Sequence, residues 1–142
     1  MKKIKLKQES VFPEFLIGIS SQHHDFQVAW SINKLLQKNL KKTRSLSVRL
    51  KSGEMTSSVY NFSVFSYSDL DGNNFSLVSN KEEGATLYPK YKNIDFFFIV
   101  KSDEISIDKV LSKISGNEFI IGSFIITTNN VFNKIIERVL EN

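Results

Sequence analysis

The sequence predicts an α+β fold: a mostly antiparallel sheet with helices packed on it, in the order βαββββαβα. Three observations carry this. Segments that alternate apolar and polar residues outnumber segments with helical spacing. Several of them are joined by short turns, which suit antiparallel neighbours and not crossover connections. The 142 residues, 41% hydrophobic and 24% charged, are the size and composition of one globular domain, 1–142, and no repeat or linker divides them. A chain this long buries about two thirds of its unfolded surface, so it needs no disulfide or metal to hold it.

Taken in order, Phe15, Ile17 and Ile19 alternate with Leu16 and Gly18, so 11–20 reads as a strand with two apolar faces. Asp25 is placed to cap a helix over 25–38 by accepting from a free first-turn N–H. Its stripe is Val28, Ala29, Ile32, Leu35 and Leu36, with Trp30 at the stripe's edge as a core or interface anchor. Residues 44–50 alternate strictly, Leu46, Val48 and Leu50 against Ser45, Ser47 and Arg49, giving a half-buried strand. The next strand, 57–68, carries Tyr60, Phe62 and Val64 on one side and Val59, Phe65 and Tyr67 on the other. Asp71-Gly72 marks a hairpin turn into a returning strand at 75–80.

Residues 81–84 read as a polar loop. The run 94–101, which includes Phe96-Phe97-Phe98, reads as a central strand covered on both faces. Ser106 starts a short helix with Ile107, Val110, Leu111 and Ile114, and Gly116 stops it. A last strand is expected at 118–127. A closing helix follows at 130–140, with Phe132, Ile135, Ile136 and Val139 on its stripe.

Composition removes several functional classes. Without cysteine there is no disulfide, thiolate metal site or cysteine nucleophile, which fits a reducing compartment. Lys2, Lys3, Lys5 and Lys7 resemble the basic start of a signal peptide, but Gln8, Glu9, Pro13 and Glu14 break the apolar stretch that should follow. No run approaches the twenty or so apolar residues of a membrane span. The expectation is a soluble cytoplasmic protein with no membrane partner.

One motif stands out. Tyr88-Pro89-Lys90-Tyr91-Lys92-Asn93-Ile94-Asp95-Phe96 resembles the signature of the IPExxxVDY family, small proteins of Bacteroidota with no assigned activity. Pro89 and Asp95 match outright, and Ile94 and Phe96 stand in for valine and tyrosine. Tyr88 and Lys90 replace the isoleucine and glutamate. Phe15-Leu16-Ile17-Gly18-Ile19, the helix with Trp30 and Asn33, and Leu77-Val78-Ser79-Asn80 extend the resemblance over most of the chain. It implies no catalytic residue. Physically, Pro89 suits a turn or strand entrance. Asp95, inside an apolar strand, must be hydrogen-bonded or paired. It reads as a structural carboxylate rather than an active-site acid, since no acidic or histidine partner is evident beside it.

His23-His24-Asp25 could hold zinc or supply a base, but these are the only two histidines and lack HxH or HxxxH spacing. A solvated loop is the simpler reading. No nucleophile elbow, phosphate loop or carboxylate constellation occurs, and no cofactor is called for. Charge is uneven: residues 1–51 hold eleven Lys/Arg and three Asp/Glu, a balance of +8, and 52–142 hold eight and twelve, a balance of −4. Lys34, Lys38, Lys41, Lys42 and Arg44 cluster at the end of the first helix and form the candidate partner or nucleic-acid site. A solvated face that offsets the helix dipole is the plainer alternative. The expected function is a non-enzymatic interaction module with a protein partner. The alternative is an RNA- or ribosome-associated protein using 34–51, and an enzyme with a site outside known motifs comes third.

Overall fold

Strands whose two faces are both apolar need cover on both sides, and the architecture supplies it. The structure, a computed structural model, describes residues 12–51, 57–126, 133 and 137. Within them run β1 (Glu14–Ser20), α1 (Asp25–Leu36), β2 (Lys41–Lys51), β3 (Ser57–Ser68) and β4 (Asn74–Ser79). After these come β5 (Lys81–Glu82), β6 (Ala85–Thr86), a 3₁₀ turn at Pro89–Tyr91, β7 (Phe96–Lys101), α2 (Ile107–Ile114) and β8 (Gly122–Ile125). Six strands form one sheet in the order β2-β3-β4-β7-β1-β8, and every pairing is antiparallel. The α+β prediction holds.

β7 lies between β4 and β1, and Phe96 to Val100 are all buried. Because successive side chains take opposite faces, Phe96, Phe98 and Val100 join one core and Phe97 and Ile99 the other. The first core lies under the helices, where Val28, Ala29, Ile32 and Leu36 of α1 meet Val110 and Ile114 of α2. On the far side Leu16, Phe62, Val64 and Val78 are covered by Leu87, Tyr88, Ile94 and Ile126.

Local chemistry moves several boundaries. His24, not Asp25, holds the N-cap position of α1, and its N–H donates to Gln27 Oε1 at 2.8 Å. Asp25 is the first helical residue and accepts from the Phe26 N–H at 2.7 Å. The helix stops at Leu36 because Gln37 turns left-handed (φ 57°) and Asn33 clasps Leu40. Asn33 Oδ1 accepts the Leu40 N–H at 2.7 Å while Nδ2 donates to its carbonyl at 3.1 Å. The expected loop at 81–84 is a tight hairpin, in which Glu83 (φ 49°) and Gly84 (φ 85°) make the two positive-φ positions of a type I′ turn. Ser106 caps α2 as expected, its Oγ accepting from the Lys109 N–H. The last strand is shorter than expected, since 115–121 is taken up by a loop. The closing helix expected at 130–140 lies outside the described residues, 133 and 137 apart.

Candidate functional site

A helix that packs one stripe on a sheet normally turns polar residues to water. α1 departs from this at Phe26 and Trp30, one turn apart and therefore neighbours on its surface. Phe26 is 58% exposed and Trp30 54% exposed. The loop after α2 supplies the facing wall. Asn117 anchors it: Nδ2 donates to the Ile114 carbonyl at 2.7 Å, and Oδ1 accepts from Ser31 Oγ at 3.2 Å and from the Phe119 N–H at 2.7 Å. Ser21 Oγ donates to the Phe119 carbonyl from the other side. Phe119 is thereby set edge-on to Trp30, ring centroids 5.8 Å apart. Phe26, Gln27, Trp30 and Phe119 line an open, apolar cavity of about 350 Å³. A second hollow of about 210 Å³ continues along α1 past Lys34, Leu35 and Glu118. The result is a groove floored by aromatic rings. Trp30 was legible at the edge of the helical stripe, but Phe119 had no local signal, because chain topology alone brings it to α1.

The histidines belong to the rim of this groove. His23 meets Phe119 edge-on at 4.7 Å and His24 stacks on Phe26 at 5.7 Å. Neither forms an ion pair with a carboxylate among the described residues. A shallow polar hollow of about 200 Å³ lies between His23, His24, Asp25, Ser79, Lys81, Glu82 and Phe96. Burial, with Asp25 and Glu83 nearby, pushes the Glu82 carboxyl above its usual range. Asp95 is not part of that lining.

The motif residues are placed structurally. Asp95 Oδ2 accepts from the Ser21 N–H at 2.8 Å and Oδ1 pairs with Lys81 Nζ at 3.0 Å, so the carboxylate ties the end of β1 to β5. Pro89 opens the 3₁₀ turn, where its missing N–H costs nothing. Ile94 and Phe96 are buried, in opposite cores. Ile94 also fills the space over Gly18, where a Cβ would stand 2.8 Å from its Cδ1 and 2.6 Å from that of Ile126.

Folding also gathers three carboxylates that are scattered in sequence. Oxygens of Asp69, Asp71 and Glu104 lie within 4.8 Å of one another. Asn73 Nδ2 occupies the space between two of them, donating to Asp69 Oδ2 and Glu104 Oε2 at 2.9 Å each. With the N–H groups of Asn73 and Asp71 added, these bonds hold Asp69 below the usual carboxylate range. The trio reads as a turn brace.

The basic candidates have different surroundings. Lys34 Nζ sits over the Trp30 ring, 4.8 Å from its centroid. Lys38 is half-buried, lying over Phe75 at 5.0 Å and reaching Glu104 at 3.6 Å. Lys41 and Lys42 are exposed on β2, and Arg44 follows them in register opposite Val64. No described helix is long and apolar enough to cross a membrane. Comparison with known proteins finds no matching family model, curated protein or solved structure.

Proposed function

We propose that this protein is a non-enzymatic interaction module of the cytoplasm that meets a protein partner through the Phe26–Trp30–Phe119 groove. One observation supports the reading: two large aromatic side chains, adjacent on one helix and each more than half exposed, border an apolar cavity of about 350 Å³. Covering the remaining half of both rings removes on the order of 200 Å² from water, worth about 5 kcal/mol. Aromatic anchors in a pocket ringed by polar groups are how binding hot spots are built. His23, His24, Gln27 and Glu118 make such a rim here. The resemblance to the IPExxxVDY proteins belongs to the same proposal and adds no residue role.

Phe26→Ala/Trp30→Ala tests it. Both side chains already face water, so the melting temperature should stay within a few degrees. Recovery of a partner from nuclease-treated host extract should fall at least tenfold. Trp30 is the single tryptophan, so its emission should shift to the blue when the recovered partner is added to the unmodified protein. Undiminished recovery by the variant, or unmoved emission, would sink the reading.

A further inference from the structure

The other end of the sheet carries a surface of different chemistry. β2 contains Lys41, Lys42, Arg44, Arg49 and Lys51, and neither β2 nor β3 contains an acidic residue. β4 pairs with only Val64 to Ser68 of β3, while β2 pairs with β3 all the way to Lys51–Ser57. The two strands therefore run past β4 as a ribbon. It has two unlike faces. Leu46 and Phe62 are buried in the second core, with Val48, Leu50 and Tyr60 packed against it. Ser45, Ser47, Arg49, Val59 and Asn61 are exposed on the other, and Ser47 Oγ bonds Asn61 Oδ1 across the strands at 2.7 Å. The apolar face holds the ribbon against the protein while the polar one is presented outward.

We propose that this ribbon is a second binding surface, which docks on duplex DNA by contacting its phosphates. Charge complementarity names a polyanion: of the five cations in the sequence of this 11-residue strand, about 35 Å long, Lys41, Lys42 and Arg49 are exposed, and neither the strand nor β3 carries a carboxylate. Outside β2 the chain is nearly neutral, with a balance of −1, so the positive charge is concentrated on this strand. Side-chain chemistry selects the duplex. Single-strand binders stack bases on aromatic rings, and none of the described residues on the exposed face is aromatic. A two-stranded ribbon suits the major groove of B-form DNA, whereas that of A-form RNA is too narrow and deep. Serine and asparagine hydroxyl and amide groups beside the cations suit phosphate oxygens, so binding is independent of sequence.

Fluorescence anisotropy with a labelled 20-base-pair DNA duplex tests the proposal. Each phosphate contact contributes a slope of about 0.9 to log affinity against log salt, so three to five contacts give about −2.7 to −4.5. That is about a 40- to 500-fold loss between 50 and 200 mM salt. Lys41→Ala/Lys42→Ala/Arg49→Ala should weaken binding at least tenfold at 50 mM and flatten the slope by about 2.7, with unchanged circular dichroism. If that variant does not fold, Lys41→Gln and Arg49→Gln taken singly should each flatten it by about 0.9. Lys109→Ala/Lys113→Ala, on exposed α2 positions, and Phe26→Ala/Trp30→Ala should bind DNA normally. The second of these separates this surface from the aromatic groove. Absent binding at 50 mM, a slope unaltered in the ribbon variants, or tighter binding to single-stranded RNA of equal length would overturn the proposal.

Discussion

Asn80 is fully buried, and both ends of its amide are committed to the backbone of the segment that follows it. Nδ2 donates to the carbonyls of Tyr91 at 3.1 Å and Ile94 at 2.8 Å, and Oδ1 accepts the Tyr88 N–H at 2.8 Å. Its own N–H and carbonyl bond Asp95 and Leu87. One side chain thus shapes the whole 80–95 excursion that covers the second core and delivers Asp95 to Ser21 and Lys81. Asn80→Ala removes three bonds and strips the buried Ile94 carbonyl and Tyr88 N–H of their Asn80 partner, while the Tyr91 carbonyl keeps the Ile94 N–H. Each orphaned group costs about 1–3 kcal/mol, so a loss of roughly 3–5 kcal/mol is expected after relaxation. Urea denaturation measures it, and a loss below about 1 kcal/mol would deny Asn80 this role. Nothing local in the sequence marks the residue. It reads as the end of a strand, and its partners come from a segment whose path only the folded chain defines. Asp95 was legible in part, because a carboxylate inside an apolar run must find partners. Which partners it would find was not.

Among the elements, those with a clear apolar pattern were legible, as was the Asp71-Gly72 turn, and those whose turns lack the usual residues were not. The strict alternation at 44–50 gave β2, because its pleat turns Leu46 to the second core and Ser45, Ser47 and Arg49 to water. The two apolar sides read at 57–68 gave β3, whose Phe62 and Val64 join the second core and Phe65 the first. The stripe Val28, Ala29, Ile32 and Leu36 likewise named the buried face of α1. The β5–β6 hairpin was missed because its type I′ turn begins with Glu83, where asparagine, aspartate or glycine would be the usual signal. The end of α1 was set two residues late for a similar reason: Gln37 takes the left-handed conformation that glycine ordinarily supplies. The groove was half legible. Helical spacing put Trp30 at the margin of the stripe, but its wall, Phe119, stands on a loop held by Asn117. The left-handed Gln37 also makes a prediction. A β-carbon there costs roughly 1–2 kcal/mol, and glycine adds some unfolded-state entropy in return. Gln37→Gly should therefore stabilise the protein by about 0.5–1 kcal/mol, raising the melting temperature by roughly 2–4 °C. A lowered melting temperature would mean that contacts of the glutamine side chain outweigh backbone strain.

At the scale of the molecule, the sheet is a wall between two cores that share backbone but few side chains. Phe97 and Phe98 are consecutive on β7, yet Phe97 lies with Phe62, Val64 and Val78, and Phe98 with Phe75, Val100 and α1. Phe98 and Phe75 touch within one core, their centroids 6.2 Å apart. Coupling between mutations follows contact, so energetic distance should not follow sequence distance. Leucine substitutions keep each site apolar and should cost roughly 1–1.5 kcal/mol apiece, which leaves double variants folded. In a double-mutant cycle, Phe75→Leu and Phe98→Leu should couple by about 0.5–1.5 kcal/mol, since each removes the other's ring partner. Phe97→Leu and Phe98→Leu should add to within about 0.5 kcal/mol despite their adjacency. Urea unfolding followed by circular dichroism supplies all the free energies. Equal coupling in the two cycles would mean that β7 transmits strain through its backbone and that the two cores settle as one. Coupling confined to Phe75 and Phe98 would mean that the groove beside α1 and the ribbon packed on the second core can each vary without disturbing the other.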